Sequence, residues 1–332
     1  MKRFAACILF TSAVLAADSY RVLHKIKIGG SGGWDYLTID NATRRLYASH
    51  GTSVAVVDLD KSAVVTVITG LKEVHGIALA PDLGKGFITD GESDAVFAFD
   101  LKSLKVVAKI GTRKGPDAIC YEPKSRRVFT FNTVDNSTVI DAVTNTVVGT
   151  VELGGRPEFC ASNGAGKLYV NVADTREIVE IDSSKPEVVR RTSISPCENP
   201  SGLAIDLVNG KLFSACSNNI MAITDIKSMA VVATPPIGSR PDGAAYDPGA
   251  GLAFSSNGDA TLTIIGQVNG KWDAVGKVET GPRSRTIAVD VATHRLYLPG
   301  AEYGVPAGRS DDQGKRRPEV LPDTFHILVV GK

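Results

Sequence analysis

Asn132–Asp182 reads NTVDNSTVIDAVTNTVVGTVELGGRPEFCASNGAGKLYVNVADTREIVEID, and its end resembles its beginning. A β-rich segment closes at Ile140-Asp141, and a second covers Thr146–Leu153. A Gly-Gly-Arg-Pro turn follows, and further apolar runs lie at Glu158–Ala161 and Lys167–Asn171. Ile178–Asp182 then returns to the pattern of the first segment. A chain that comes back to its own start after one unit has the mark of a repeat architecture, whose fold follows from counting units.

The Asp that ends the "V-x-V-I-D" segment is a convenient ruler. It recurs at Asp58, Asp100, Asp141, Asp182 and Asp225, with Gly266 and Gly331 at the next equivalent positions. The spacings are 42, 41, 41, 43 and 41 residues, and then 65, which is one more unit carrying an insertion. Each unit holds four short strands. In the third they are Ala118–Tyr121, Arg127–Phe131, Ser137–Asp141 and Thr146–Leu153. A period of about 40 residues with four strands per unit predicts a propeller blade. Seven units can be counted, so the expected fold is all-β: a seven-bladed β-propeller with four antiparallel strands per blade. First strands begin near Asp35, His75, Asp117, Glu158, Ser201, Asp242 and Arg285. The seventh unit stops after its third strand. Tyr20–Gly30 resembles the fourth strand of the second unit, Leu104–Thr112. The N-terminal strand should therefore complete the last blade and remove the exposed sheet edges.

Composition agrees with this reading. The 332 residues are 43% hydrophobic and 22% charged, and Val and Ile runs are punctuated by Gly, Asn and Asp, a pattern that favours strands and tight turns. Met1–Ala16 reads as a signal peptide, with Lys2 and Arg3 first, an apolar Phe4–Leu15 and a small-residue end at Val14-Leu15-Ala16. The apolar run is too short to span a bilayer, and no later stretch is longer. Residues 17–332 are expected to form one propeller domain with an insertion at 300–323 in blade seven. The protein is expected to be exported, to the periplasm or to the extracellular side or cell surface, and to be a monomer without a transmembrane segment. Without Lys2 and Arg3 the formal charge falls from +1 to −1. Apart from Lys315–Arg317 there is no basic run, so nucleic acid is not an expected partner.

The repeats resemble a known family. Lys167-Leu-Tyr-Val-Asn171, Thr138-Val-Ile-Asp141, Asn145-Thr-Val-Val148 and the Gly-Gly-Arg-Pro157 turn are similar to the YVTN β-propeller repeat of YncE-like exported proteins. The resemblance covers nearly all of the chain after the signal peptide. It is weakest in blades five and six, where Cys216-Ser-Asn-Asn stands in place of Asn171-Val-Ala-Asp and Gly266 in place of the Asp. It implies a seven-bladed propeller outside the cytoplasm and implies little chemistry, because one fold hosts many functions.

Blade topology sorts the loops onto two faces. One carries short, generic turns such as Asn41–Arg44 and Asn163–Gly166. The other carries the first-strand starts, the loops between second and third strands, and the insertion. Long loops on one face of a rigid scaffold are where binding usually resides. The candidate binding residues at this channel mouth are His50, His75, Asp90, Asp117, Asn132, Glu158, Asn171, Asp242, Asn257, Arg285 and Glu302. Lys114, Arg156, Arg240 and Arg283 stand behind them. The competing reading is plain: propeller channels are wet, and Asp and Asn after a strand are ordinary turn residues.

Specific motifs narrow the chemistry. Gly29-Gly-Ser-Gly-Gly33 fits a nucleophile elbow only if a helix follows, and a strand follows here. There is no phosphate-binding G-x-x-x-x-G-K-[ST], no C-x-x-C-H for covalent haem, and no repeated Trp motif. The two N-x-[ST] sites, at Asn41 and Asn136, read as chance. No cofactor is expected. The exception is a divalent metal, for which His50, His75, Asp90 and Asp117 have suitable side chains. Cys120 and Cys160, in first strands of neighbouring blades and offset by one position, are expected to be buried free thiols. Cys197 and Cys216 should reach the same face and form a disulfide. The expected function is binding or scaffolding for an unidentified protein, peptide or small-molecule ligand through the mouth. Catalysis is not required by any motif. The alternative is a metal-dependent, lactonase-like hydrolase using Glu158, Asp242, Asn132, Asn171 and Asn257 in the channel.

Overall fold

The computed structural model describes residues 19–304 and 319–332; Met1–Ala16, which reads as a signal peptide, and the Lys315–Arg317 run lie outside them. The N-terminal strand β1 is Arg21–Lys27. Blade one is β2 (Trp34–Asp40), β3 (Arg45–His50), β4 (Ser53–Asp58) and β5 (Ala63–Ile68). Blade two is β6 (Val74–Ala80), β7 (Lys85–Asp90), β8 (Ala95–Asp100) and β9 (Val106–Gly111). Blade three is β10 (Pro116–Glu122), β11 (Arg127–Asn132), β12 (Asn136–Asp141) and β13 (Thr146–Glu152). Blade four is β14 (Pro157–Ser162), β15 (Lys167–Val172), β16 (Glu177–Asp182) and β17 (Glu187–Ser193). Blade five is β18 (Pro200–Asp206), β19 (Lys211–Cys216), β20 (Ile220–Asp225) and β21 (Val231–Ala233). Blade six is β22 (Pro241–Asp247), β23 (Leu252–Asn257), β24 (Thr261–Val268) and β25 (Lys271–Glu279). Blade seven has β26 (Ala288–Asp290), β27 (Arg295–Gly300) and β28 (His326–Gly331), with β1 as its outer strand. The β1–β28 pairing is antiparallel, Lys25 opposite Leu328, so the two ends of the chain close the ring.

The recurring Asp has a local cause. Asp58, Asp100, Asp141, Asp182 and Asp225 each accept hydrogen bonds from backbone N–H groups two or three residues on, the Asx turn that reverses the chain into the outer strand. In blades one, two, three and five a residue at positive φ completes the reversal: Ser62, Leu104, Asn145 and Met229.

Burial explains why the middle strands read as apolar runs. In β11 and β12 nearly every residue is buried, whereas Val147 and Val148 of the outer β13 are exposed. Both faces of each inner sheet are covered by neighbouring blades, so no alternation survives there. Seven apolar clusters result, one at each blade–blade interface. Ile26, Leu46, Tyr297 and Ile327 belong to the one that seals blade seven to blade one. On the turn-bearing face the same seam holds an ion pair from Arg44 to the fully buried Asp290, 2.7 Å. Around the channel, hydroxyl and amide side chains bond the next blade's inner backbone. Thr38 Oγ1 donates to Ile77 O, Thr89 Oγ1 to Asp117 O, Ser256 Oγ to Arg285 O and Thr286 Oγ1 to Asp35 O. The inner strand of blade seven, β26, begins three residues after Arg285. Among the described residues no helix is long and apolar enough to cross a membrane.

The structure corrects one cysteine expectation. Cys120 and Cys160 are bonded to each other, as are Cys197 and Cys216. The offset that suggested different facings applies within one sheet. β10 and β14 lie side by side in different sheets, so a one-residue stagger brings the two thiols together.

Candidate functional site

Six inner strands carry a register irregularity at their start. The shift falls between Trp34 and Leu37, Val74 and Ile77, Pro116 and Ile119, Pro157 and Cys160, Pro200 and Leu203, and Pro241 and Gly243. A bulge re-aims the side chain it contains. The residue held there is Asp35, His75, Asp117, Glu158, Ser201 or Asp242, and Arg285 takes the corresponding place before β26. One polar side chain per blade thus forms a ring at the mouth.

A cavity of about 340 Å³ opens among them, lined by Asp35, Asp117, Glu158, Ser201, Asp242 and Arg285 from six different blades. Its apolar wall is Tyr36 against Phe159, ring centroids 4.4 Å apart, a contact between blades one and four that spans the channel. The next position of the other strands is small: Gly76, Ala118, Gly202, Gly243 and Thr286. A Cβ on Gly76 would sit 2.7 Å from Asp117 O, so the inner strands approach too closely there for a side chain. The two aromatic rings take the space the small residues leave.

The ring is dense in charge. Arg156 contacts Glu158, and Arg285 Nε lies 3.2 Å from Asp242. His75 Nδ1 is 2.9 Å from Asp35 Oδ2 and 3.7 Å from Asp117 Oδ1. Burial pushes the Glu158 carboxyl up to about 7; Arg156 opposes this, and Asp117 and Asp242 add to it. Burial likewise raises Asp242 to about 6 against the pull of Arg285. Asp117 rises to about 6 by burial and by the Asp35 charge, although His75 opposes the shift. For His75, burial works downward but is outweighed by the Asp35 hydrogen bond and the charges of Asp117, Asp35 and Glu73, which lift it to about 9. Tyr36, buried above four carboxylates, is pushed well above the usual phenol range. Carboxylates raised together in a cleft by burial and neighbouring charge make this ring a candidate functional site.

Other sequence candidates are tied into the scaffold. Asn132 donates to Asn136 Oδ1 and Thr138 Oγ1, Asn171 to Ser201 O and Gly202 O, and Asn257 to Thr261 and Thr263 hydroxyls; all three are fully buried. Asp90 accepts the backbone N–H groups of Lys72, Glu73 and Ser93. His50 is stacked on Phe325 at 4.1 Å, and burial lowers its pKa. Of the sequence's metal set, His75 and Asp117 come together and His50 and Asp90 do not; Asp35 completes the group instead. Glu302 lines a separate cavity with Lys25, Lys27 and His326. The described ends of the insertion nevertheless return to the mouth: Tyr303 pairs with Val320, and Val320 lies with Trp34, Arg283 and Arg285 around a small cavity. Tyr36 and Phe159 are the residues sequence reasoning missed. The signal was available, because they are the two large residues at a repeat position otherwise filled by small ones.

No protein-family model matches the chain. It is 26% identical over 192 residues to YncE of Salmonella typhi, and 25% over 191 residues to YncE of Salmonella typhimurium strain LT2. Each alignment covers 55% of this chain and 54% of the relative, so the chain spans about half the length of the curated relatives it matches. Among solved structures it superposes on a chain of hydrazine synthase from Kuenenia stuttgartiensis with a TM-score of 0.70 at 17% identity, covering 82% of this chain and 94% of that one. That likeness is one of fold. Together with the seven blades, these similarities support a YncE-like β-propeller.

Proposed function

We propose that this protein is an exported binding module whose mouth cavity takes a cationic ligand, or the cationic group of a peptide or protein partner. The ring of Asp35, His75, Asp117, Glu158, Asp242 and Arg285 carries the reading. Closing a propeller requires apolar seams and satisfied turns, and neither needs four carboxylates sharing one cavity. Three of these carboxyls are held above their ordinary range, first by burial and then by neighbouring carboxylate charge, so ionising them carries a cost that Arg156, Arg285 and His75 do not cancel. A positively charged group entering the cavity would relieve it, and the Tyr36–Phe159 wall offers π-faces to the same charge. The two disulfides favour an oxidising compartment outside the cytoplasm.

The reading is tested by thermal shift with arginine, lysine, spermidine and Lys- or Arg-containing dipeptides. At least one amine should raise the melting temperature of the wild type, and the effect should disappear in Asp242→Ala. No shift with any of them, or equal shifts in the variant, refutes it. Deleting residues 307–322 should weaken capture. The alternative of a hydrolase would need the amide oxygens of Asn132, Asn171 and Asn257, which accept hydrogen bonds from Thr130, Ser214 and Ser255 inside the scaffold.

A further inference from the structure

We propose that Asp35, His75 and Asp117 form a binding site for a divalent transition-metal ion of the zinc class. The inference rests on the reading of the mouth as a cation site and names one cation it holds. The three residues occupy the same bulge position in blades one, two and three. One ligand atom from each lies within 4.8 Å of the other two. The His75 nitrogen stands 2.9 Å from one carboxylate oxygen and 3.7 Å from the other. Tetrahedral zinc with bonds of about 2.1 Å holds its ligands roughly 3.4 Å apart, and the two observed separations bracket that value.

A second observation points the same way. Asp117 Oδ1 is sealed from solvent and has no hydrogen-bond partner, although the carboxyl as a whole remains about a third open. Its neighbour is the His75 imidazole, beyond hydrogen-bond reach at 3.7 Å, and a metal ion held by both would satisfy that oxygen. Glycine supports the arrangement from both sides. A Cβ on Gly76 would strike Asp117 O, and one on Gly91 would lie 2.9 Å from His75 Nε2, so the backbone closes tightly around this part of the ring. Asp35 and Asp117 both line the mouth cavity. Three protein ligands leave a fourth coordination position for water or a ligand donor atom. One nitrogen and two carboxylate oxygens favour zinc-class ions over magnesium or calcium, which take oxygen-only shells.

The test uses chelator-stripped full-length protein, titrated with Zn²⁺ by calorimetry, with bound metal counted by elemental analysis after desalting. One equivalent should bind, and Mg²⁺ should not displace it. His75→Gln and Asp117→Asn should each lose at least tenfold in affinity. His24→Gln, which removes an exposed histidine of the outer strand β1, should bind like the wild type. Melting temperatures without zinc establish that each variant is folded; if one of the site variants is not, the other carries the comparison. Absence of stoichiometric zinc overturns the proposal, as does zinc binding that survives both site substitutions. Failure here leaves the amine screen with Asp242→Ala unaffected, and a failed amine screen leaves the zinc count unaffected, so the two readings fail separately.

Discussion

Replacing Glu158 by Gln should make the protein progressively more stable, relative to wild type, as pH rises. The side chain is only 17% exposed, touches Arg156, and has its carboxyl raised from 4.5 to about 7. A folded-state pKa above the unfolded value means that the native protein holds the proton more tightly. The corresponding stability is full below about 4.5 and is lost as pH climbs through about 7. At 1.36 kcal/mol for each pH decade between those values, the loss is roughly 3 kcal/mol. Gln presents a neutral amide of the same shape and does not titrate, so the variant escapes that loss. Asp117 and Asp242 add to the rise at Glu158, and Asp117 in turn helps to raise Asp242. The assay is urea unfolding in chelator at intervals from pH 4.5 to 8.5, read as the stability of the variant minus that of the wild type. That difference should rise by about 3 kcal/mol over the range. A flat difference would refute the reasoning. So would the opposite slope, with wild type gaining on the variant at high pH, which is what an ordinary solvent-screened Arg–Glu pair produces.

Three further outcomes follow from the packing. Arg44→Ala should destabilise by about 3 kcal/mol in denaturant melts, because it leaves the buried Asp290 without its cation at the seam where the ring closes. Gly76→Ala should cost roughly 1–3 kcal/mol by forcing blades two and three apart, whereas Gly149→Ala, whose added Cβ meets nothing within 4 Å, should stay within about 0.5 kcal/mol. Alkylation of unfolded, unreduced protein should label none of Cys120, Cys160, Cys197 and Cys216. Removing the Cys197–Cys216 bridge should lower stability by about 3 kcal/mol, and removing Cys120–Cys160 by about 4, following their sequence separations of 19 and 40.

The fold was legible because its signals are local. An Asx turn needs its Asp two or three residues before the N–H groups it accepts, so the turn that ends the third strand leaves a mark in the sequence in five of the seven repeats. The β1 closure was legible for the same reason: a strand that completes a blade must look like the strand it replaces. The site was legible only in part. The bulge positions Asp35, His75, Asp117, Glu158, Asp242 and Arg285 could be found by laying one unit over the next. What each side chain does at the mouth depends on distances between strands of different blades, which no spacing within a unit reports. Asn132, Asn171 and Asn257 show the limit. As residues ending second strands they look available to a ligand, yet their amides are used up by hydroxyls and carbonyls that only the packed ring brings near.

The errors share one physical origin. His50 and Asp90 share a face with His75 and Asp117 yet stay apart from them, and Cys120 and Cys160 differ in phase along their strands yet are bonded. Shared face and strand phase are guides that hold within a sheet. At a propeller channel the nearest neighbours of an inner-strand residue belong to the next blade, about one repeat away in sequence, and the inner strands stand side by side without pairing. Proximity there follows the repeat position, give or take the stagger between bulged strands. Asp35, His75 and Asp117 are 40 and 42 residues apart, and Cys120 and Cys160 are 40 apart. The same arithmetic places the two large rings, Tyr36 and Phe159, three blades apart, where they can meet only by crossing the channel. In a closed ring of this kind, a site is sought by reading one repeat position around all the blades, because neighbours along the chain are divided among strands that face different seams.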